Sequence, residues 1–336
     1  MTPLQIGLTA GGIVVLVVVM RYNSWKERRS APREAAPAGA PAEGDGEGSR
    51  VEPLLGVPGA AEPLSSLDGL IDSIVPLALE RTPIAAEALL GVLPPTRRVG
   101  TKPFAVEART AAGAWEFPRA GQRYDAVQAG VQLAGRMGAL NDIEFSEFVV
   151  KVERMADALG ASAEFPEMAH ETARARELDQ FARGYDAHLG LLVRANAAAW
   201  SAGFVMQQAM KRGFQATAVP GRMVLPAGSG VGHTILELRM DPGAAAPENF
   251  AEAPLGEVAL GFDVPLIAPE DRPLEHLGQH TWALAEAMNG TVTDETGRAL
   301  GADAMTGIAA DLQRLYAALD EHGLPAGSPQ AQRLFS

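Results

Sequence analysis

The amino-acid sequence predicts an α+β protein with one N-terminal transmembrane helix and two similar β-α-β-β-β-α-β-α domains. The sheets of both domains are expected to be rich in antiparallel pairs, with helices on one face. Three observations lead to this fold class: the first 20 residues lack charged side chains, strand-like and helix-like periodicities alternate from about residue 71, and their order occurs twice. The length of 336 residues suits about two domains.

The N-terminal stretch has the length and composition of a membrane span. Its apolar centre reads IVVLVVVM, and about 20 residues at 1.5 Å each cross a hydrocarbon core of ~30 Å. A basic cluster that begins at Arg21 follows, which favours retention of the remaining chain on the cytoplasmic side. A cleaved secretory signal would instead carry its positive charge before the apolar centre. We therefore expect an anchor over residues 1–22 that contacts the lipid bilayer through residues 4–20.

Residues 23–66 join a basic juxtamembrane segment to a stretch dominated by Pro, Ala, Gly and Glu. Few of these side chains can be buried to offset the entropy cost of ordering the chain. The composition therefore predicts a disordered linker, with a random-coil reach on the order of 30 Å.

The first predicted domain covers residues 67–184. Its expected elements, in order, are strand 71–80, helix 84–93, strands 103–109, 114–117 and 125–133, helix 145–159, a short extended piece, and helix 171–182.

The second predicted domain covers residues 185–322, and a flexible tail is expected over 323–336. The elements of this domain are strand 188–194, helix 199–211, strands 217–225, 234–240 and 257–265, helix 274–288, strand 291–294 and helix 304–321.

Local sequence similarity supports a duplication. MADALG ends one long helix and LAEAMNG ends its counterpart, and the strands before them carry glycines at Gly130 and Gly261. The alternative is a coincidence between two ordinary α+β domains. In either case, helices that return between antiparallel strands leave each sheet one face that a partner can reach.

Composition excludes several classes of function. The formal net charge is −13 and the one dense basic cluster lies near the N-terminus, so a nucleic-acid partner is not expected. The chain has no cysteine, which excludes disulfides, thiol catalysis and cysteine-ligated zinc.

No motif indicates catalysis or a cofactor. The sequence GSGVG at 228–232 joins two predicted strands, whereas a phosphate loop opens a helix. His276 and His280 lie four residues apart, but HLGQH lacks the glutamate position of a zinc protease and an evident third ligand. We expect no enzyme, no cofactor and no metal site.

The stretch LAEAMNGTVTDETGRALGADAMTGIAADLQRLYAAL over 284–319 resembles the end of the FtsZ-binding domain of cell division protein ZipA. KRGF at 211–214, the AGSGVGH turn and GFDVP at 261–265 fall in the order of that family. The resemblance covers about residues 186–319, and the single anchor and proline-rich linker match the layout of the family. It departs from the family in its second domain copy and in a less apolar sheet face.

The resemblance implies a bacterial cell division protein that tethers the FtsZ ring to the inner membrane without catalysis. The N-terminus would be periplasmic and both domains cytoplasmic. The implied partner is the C-terminal tail of FtsZ, which the family binds on an open sheet face. Self-association stays open. The candidate partner-binding residues are Val219, Met223, Glu237, Arg239, Ala259, Gly261 and Asp263 in the second domain, with Gln128, Gly130 and Gln132 in the first.

Two other functions compete with this interpretation. One is a membrane-tethered scaffold for another envelope assembly, which would use the same face for a different partner. The other is an anchored hydrolase, which would need a cluster of catalytic residues that the sequence does not show.

Overall fold

The computed structural model describes residues 67–336, apart from 228–233 and 242–246. These residues belong to one compact unit, Ser65–Ser336. We refer to residues 67–185 as the first half and to residues 186–336 as the second half.

The first half contains an antiparallel sheet with the strand order β3-β4-β6-β1-β9, to which two short strands add. Its elements are β1 (Asp72–Leu79), β2 (Ile84–Ala85), α1 (Ala86–Val92), β3 (Arg98–Val99), β4 (Lys102–Thr110), β5 (Trp115–Glu116), β6 (Arg123–Gln132), β7 (Ala134–Gly135), β8 (Gly138–Ala139), α2 (Asp142–Leu159), β9 (Ala161–Ala163) and α3 (Met168–Tyr185).

The second half contains an antiparallel sheet with the order β12-β13-β14-β16-β10-β17. Its elements are β10 (His188–Ala195), β11 (Trp200–Ser201), α4 (Ala202–Met210), β12 (Gln215–Ala216), β13 (Arg222–Pro226), β14 (Thr234–Met240), β15 (Pro254–Leu255), β16 (Glu257–Asp263), α5 (Pro273–Met288), β17 (Gly290–Thr293), α6 (Ala302–Glu321) and α7 (Pro329–Phe335).

The two sheets share their central connectivity. Strand β1 lies between β6 and β9, as β10 lies between β16 and β17. The outer neighbour of β6 is β4, and that of β16 is β14. The pairs β1/β10, β4/β14, β6/β16 and β9/β17 are therefore equivalent, and residues in the two sheets can be matched through their register.

Local sequence explains where the long helices begin and end. Helix α2 begins with a capping box, in which Asn141 accepts from the backbone of Glu144 and Glu144 accepts from the backbone of Asn141. It ends at Gly160, whose φ of 60° is the left-handed conformation that terminates many helices. Helix α5 ends similarly at Asn289, with a φ of 52°.

Each sheet packs one face against helices. In the second half, alternate residues of β10 and β16, such as Leu191, Val193 and Leu260, are buried in the core together with Leu277 and Leu284 of α5. The period of two along a strand directs the intervening residues to the opposite face. The first half has its own core, built in the same way from β1, β4, β6 and α2.

The fold class predicted from the sequence requires correction. The described residues form an α+β structure with seven helices and antiparallel sheets, and none of these helices is long and apolar enough to span a membrane. Instead, helices such as α2 and α5 bury one apolar stripe against a sheet and expose the other side. The predicted anchor over 1–22 and linker over 23–66 lie outside the described residues.

The prediction of a flexible tail over 323–336 is also wrong. Residues 329–335 form α7, which is capped by the hydroxyl of Ser328. Leu334 and Phe335 are each 1% exposed and join Ile71 and Ala134 of the first half in a third hydrophobic cluster. The C-terminal segment therefore packs between the two halves.

Candidate functional site

The side of the second sheet that points away from its helices carries most of the predicted second-half site residues. We call this side the second face. Register places Arg222, Arg239, Ala259 and Leu192 in one row across four strands. The adjacent row contains Val224, Glu237, Gly261 and Gly190. Solvent reaches this face, since Leu192, Val224 and Ala259 are only partly buried.

Two glycines form a depression in the second face. Gly190 and Gly261 lie directly opposite each other on neighbouring strands, so neither residue places a side chain over the backbone there. A methyl group added at Gly261 would lie 2.5 Å from Nε2 of His188 and 2.6 Å from the backbone oxygen of Leu189. The imidazole of His188 therefore rests over this depression.

An ion-pair cluster holds His188 in place. Its Nδ1 lies 2.9 Å from Oδ1 of Asp263, and Arg136 of the first half donates to the other carboxylate oxygen at 3.2 Å. Arg136 also donates to Asp186. Burial alone would raise the pKa of Asp263, but the hydrogen bonds and charges of His188 and Arg136 lower that pKa well below its usual value. Asp263 is therefore ionised at neutral pH and joins the two halves.

Two arginines of the second face share one carboxylate. Arg222 and Arg239 are directly opposite each other, an arrangement that is unfavourable for two like charges. Glu237 lies 2.8 Å from Nε of Arg222 and 2.6 Å from Nε of Arg239. The arginine side chains keep 47% and 38% of their surface exposed, whereas Glu237 keeps 14%. Glu237 therefore holds two guanidinium groups at the surface.

The corresponding side of the first sheet, here called the first face, is covered by the chain itself. A methyl group at Gly130 would lie 2.5 Å from Cδ2 of Leu67, so the leucine fills the space above this glycine. The backbone N–H of Leu67 donates to Glu107 at 2.9 Å, and Gln128 donates to the second oxygen of that carboxylate. Glu107 is consequently only 1% exposed.

The end of the first face is closed by α7. Arg333 binds both carboxylate oxygens of Asp72, one of them at 2.8 Å, and the Asp72 side chain is fully buried. Gln132, which is 3% exposed, donates to the backbone oxygens of Ala134 and Arg333. Other segments of the same chain therefore occupy the contacts of Gln128, Gly130 and Gln132, and these predicted binding residues do not form an open face in this structure.

Two residues predicted to bind a partner in the second half, Met223 and Val219, do not lie on the second face. Met223 is 1% exposed and belongs to the core beneath the sheet, because its neighbours Arg222 and Val224 take the open side. Val219 is 54% exposed, but it lies in the turn between β12 and β13 and outside the strand register. Glu237, Arg239, Ala259 and Gly261 do lie together, with Asp263 at the edge of the same face.

The histidine pair is part of the α5 surface. The rings of His276 and His280 are stacked with their centroids 6.0 Å apart. Burial lowers the pKa of His280, and the charges of His276 and Arg212 lower it further. Within the described part of the chain, no three His, Cys, Asp or Glu residues come together in a way that could hold a metal ion. The GSGVG sequence lies outside the described residues.

Sequence reasoning missed His188, Leu192 and Val224 on the second face. The alternation that placed Ala259 and Gly261 outward also applies to β10 and β13, but the pairing register is needed to bring the strands together. The roles of Leu67 and Arg136 could not be predicted from sequence patterns, because each residue contacts a residue that is distant in the sequence.

No protein-family model matches this chain, and a search of curated proteins finds no match.

Proposed function

We propose that this protein is a non-enzymatic bacterial cell division adaptor that binds the C-terminal tail of FtsZ on the second face. In this proposal it acts at the inner membrane, where its two halves lie on the cytoplasmic side and connect the FtsZ ring to that membrane. The observation that carries the proposal is the contrast between two equivalent sheet faces, of which one is covered by the chain and the other is open.

The chemistry of the second face suits a short peptide. Leu192, Ala259 and Val224 provide apolar contact, and the depression at Gly190 and Gly261 lets a side chain approach the backbone closely. Arg222 and Arg239 offer planar hydrogen-bond donors that match carboxylates. A face with few large apolar side chains favours modest affinity, which many copies along a polymer would strengthen.

The identity of the peptide follows from the sequence resemblance. The stretch that resembles the FtsZ-binding domain of ZipA covers about residues 186–319, which is the half with the open face. The first half, whose face is closed by Leu67 and α7, lies outside that stretch.

The test is a titration of the full chain with a fluorescent peptide that has the sequence of the FtsZ C-terminal tail from the same organism. Fluorescence anisotropy should show saturable binding in the micromolar range, where 1 μM corresponds to about −8 kcal/mol. Ala259→Glu places a carboxylate beside Arg239 and should weaken binding at least about tenfold, since it occupies the guanidinium and repels acidic groups.

Ala310→Glu is the matched control, because Ala310 is exposed on α6 in the helix layer. It should leave the affinity unchanged. Absence of saturable binding by the full chain would reject the FtsZ proposal. If a fusion to a fluorescent protein located to the envelope but never to midcell, a scaffold of another envelope assembly would become the better interpretation.

A further inference from the structure

We propose that the second face binds an extended acidic segment with one aliphatic side chain above Gly261 and a neighbouring carboxylate on Arg239 and Arg222. The inference rests on the proposed use of this face and specifies the chemistry of its partner. It is based on a comparison with the first face, where Leu67 of the same chain fills the space above Gly130.

Leu67 is the template for the aliphatic side chain. Gly130 lies between Ala105 and Ile74 in the first sheet, as Gly261 lies between Glu237 and Gly190 in the second. Cδ2 of Leu67 is 2.5 Å from the position of a Cβ at Gly130, so the leucine reaches the backbone. In the second sheet the residue equivalent to Ile74 is Gly190, so the strand on that side of Gly261 adds no side chain to the depression.

His188 covers the second depression in place of such a side chain. Its Nε2 is also 2.5 Å from the position of a Cβ at Gly261, and it lies 3.5 Å from that of Gly190. The imidazole is held by Asp263 through one ring nitrogen. A rotation of the side chain frees the depression at the cost of its contact with Asp263, and an aliphatic group of the partner then takes its place.

A reversal of charge between the faces indicates that the partner is acidic. In the strand register, Glu107 lies opposite Gln128 and Arg239 lies opposite Ala259. Glu107 and Arg239 are therefore equivalent positions in the two sheets. Glu107 accepts the backbone N–H of Leu67, whereas Arg239 can only donate. A carboxylate next to the aliphatic residue is the acceptor that a guanidinium binds best, and Arg222 lies directly opposite.

The net charge of −13 opposes an acidic partner at long range. Salt screens exposed charges beyond about 8 Å at physiological ionic strength, so the local pair of arginines dominates once the segment is in contact. Binding should therefore weaken less steeply with salt than it would for a basic protein.

The probes are fluorescent 12-residue peptides with one leucine flanked by aspartates, a leucine-to-alanine version and an aspartate-to-asparagine version. Anisotropy with the full chain should show about tenfold weaker binding for each altered peptide. Arg239→Gln should weaken the aspartate peptide about tenfold and the asparagine peptide little, with Arg222→Gln as an independent second variant. His188→Ala should bind the leucine peptide several times more tightly.

Arg109→Gln is the matched control, because Arg109 has a similar exposure on the first sheet and pairs with Asp125. It should leave all affinities unchanged. NMR of histidine labelled with ¹³C at Cε1 gives one signal for each of six histidines, and that of His188 should move on binding. Equal affinity for the leucine and alanine peptides, or an unmoved His188 signal, would overturn the inference.

The two proposals fail separately. Binding of the FtsZ tail that Ala259→Glu abolishes but Arg239→Gln and Arg222→Gln leave unchanged would overturn the acidic-segment inference and support the FtsZ proposal. Binding of the leucine peptide as described, without binding of the FtsZ tail, would support the inference and reject FtsZ as the partner.

Discussion

At the scale of single residues, the shape of the second face depends on two glycines, Gly190 and Gly261. Gly261 contacts the backbone oxygen of Leu189 and the imidazole of His188 so closely that even a methyl group would overlap both. The flexible imidazole can move, but the backbone oxygen, 2.6 Å from the position of that methyl group, belongs to a paired strand and cannot. The glycine is therefore required by close packing and not by an unusual backbone conformation.

Gly261→Ala should destabilise the second half by about 1–3 kcal/mol, as overpacking does in tight cores. Urea unfolding of the variant and the parent chain measures the difference. Gly278→Ala is the control, since Gly278 lies in α5 and its added methyl group would approach nothing closer than 3.6 Å. Alanine in a helix interior should raise stability by about 0.5–1 kcal/mol. Equal effects of the two substitutions would contradict the packing argument.

At the scale of elements, α7 contributes to the difference between the two sheet faces. The helix is short, and its composition, PQAQRLF, contains only two large apolar residues. Both are buried in the third hydrophobic cluster, which contains residues of both halves, and Arg333 binds the fully buried carboxylate of Asp72. The helix thus closes one end of the first face while leaving the second face uncovered.

Phe335→Ala should cost about 3–5 kcal/mol, because it removes a fully buried aromatic ring and leaves a cavity between the halves. Thermal or urea unfolding of the full chain measures this cost. Gln332→Ala in the same helix should cost under about 1.5 kcal/mol, since this partly buried side chain makes one hydrogen bond to Gly327. A Phe335 variant as stable as the Gln332 variant would show that α7 does not pack as described.

At the scale of the whole molecule, apolar contacts, hydrogen bonds and ion pairs join the halves. Ile71 and Ala134 meet residues of the C-terminal segment in the third hydrophobic cluster, where Arg333 also binds Asp72. Beside the second face, Arg136 forms an ion-pair cluster with Asp186 and Asp263. Because Asp263 also holds His188, the position of the imidazole over Gly261 is tied to the junction of the halves.

The ion-pair cluster predicts how stability depends on pH. The pKa of Asp263 is lower in the folded chain, so its ionised form stabilises the fold above the ordinary pKa of about 3.9. This stabilisation is lost as pH falls through the lowered pKa. Asp263→Asn should therefore cost about 2 kcal/mol at pH 7, and progressively less from about pH 4 downward.

Urea midpoints of the parent chain and the variant between pH 7 and pH 2 measure this effect. Asp125→Asn is the control, because Asp125 forms an exposed pair with Arg109 within the first sheet. It should cost well under 1 kcal/mol at any pH. A constant difference between the parent chain and Asp263→Asn across the whole range would contradict the assigned role of the carboxylate.

Much of the second face was accessible to sequence reasoning, and the reasons for the failures are specific. Alternation along β14 and β16 placed Glu237, Arg239, Ala259 and Gly261 outward, because a strand directs successive side chains to opposite faces. It failed for Met223, since the start of β13 was placed five residues too early and the inward and outward positions could not be assigned. The register between distant strands, which unites His188 with Gly261, is not a local property.

The sequence by itself determined the α+β class of the described chain and the order of its longer strands and helices up to residue 321, because periodicity and helix ends are properties of neighbouring residues. Only the tertiary structure decided that the C-terminal segment is a buried helix, that Leu67 fills the first face and that Asp263 binds Arg136. These contacts join residues between 63 and more than 250 positions apart, and their stability comes from burial and charge pairing that no short stretch of sequence contains.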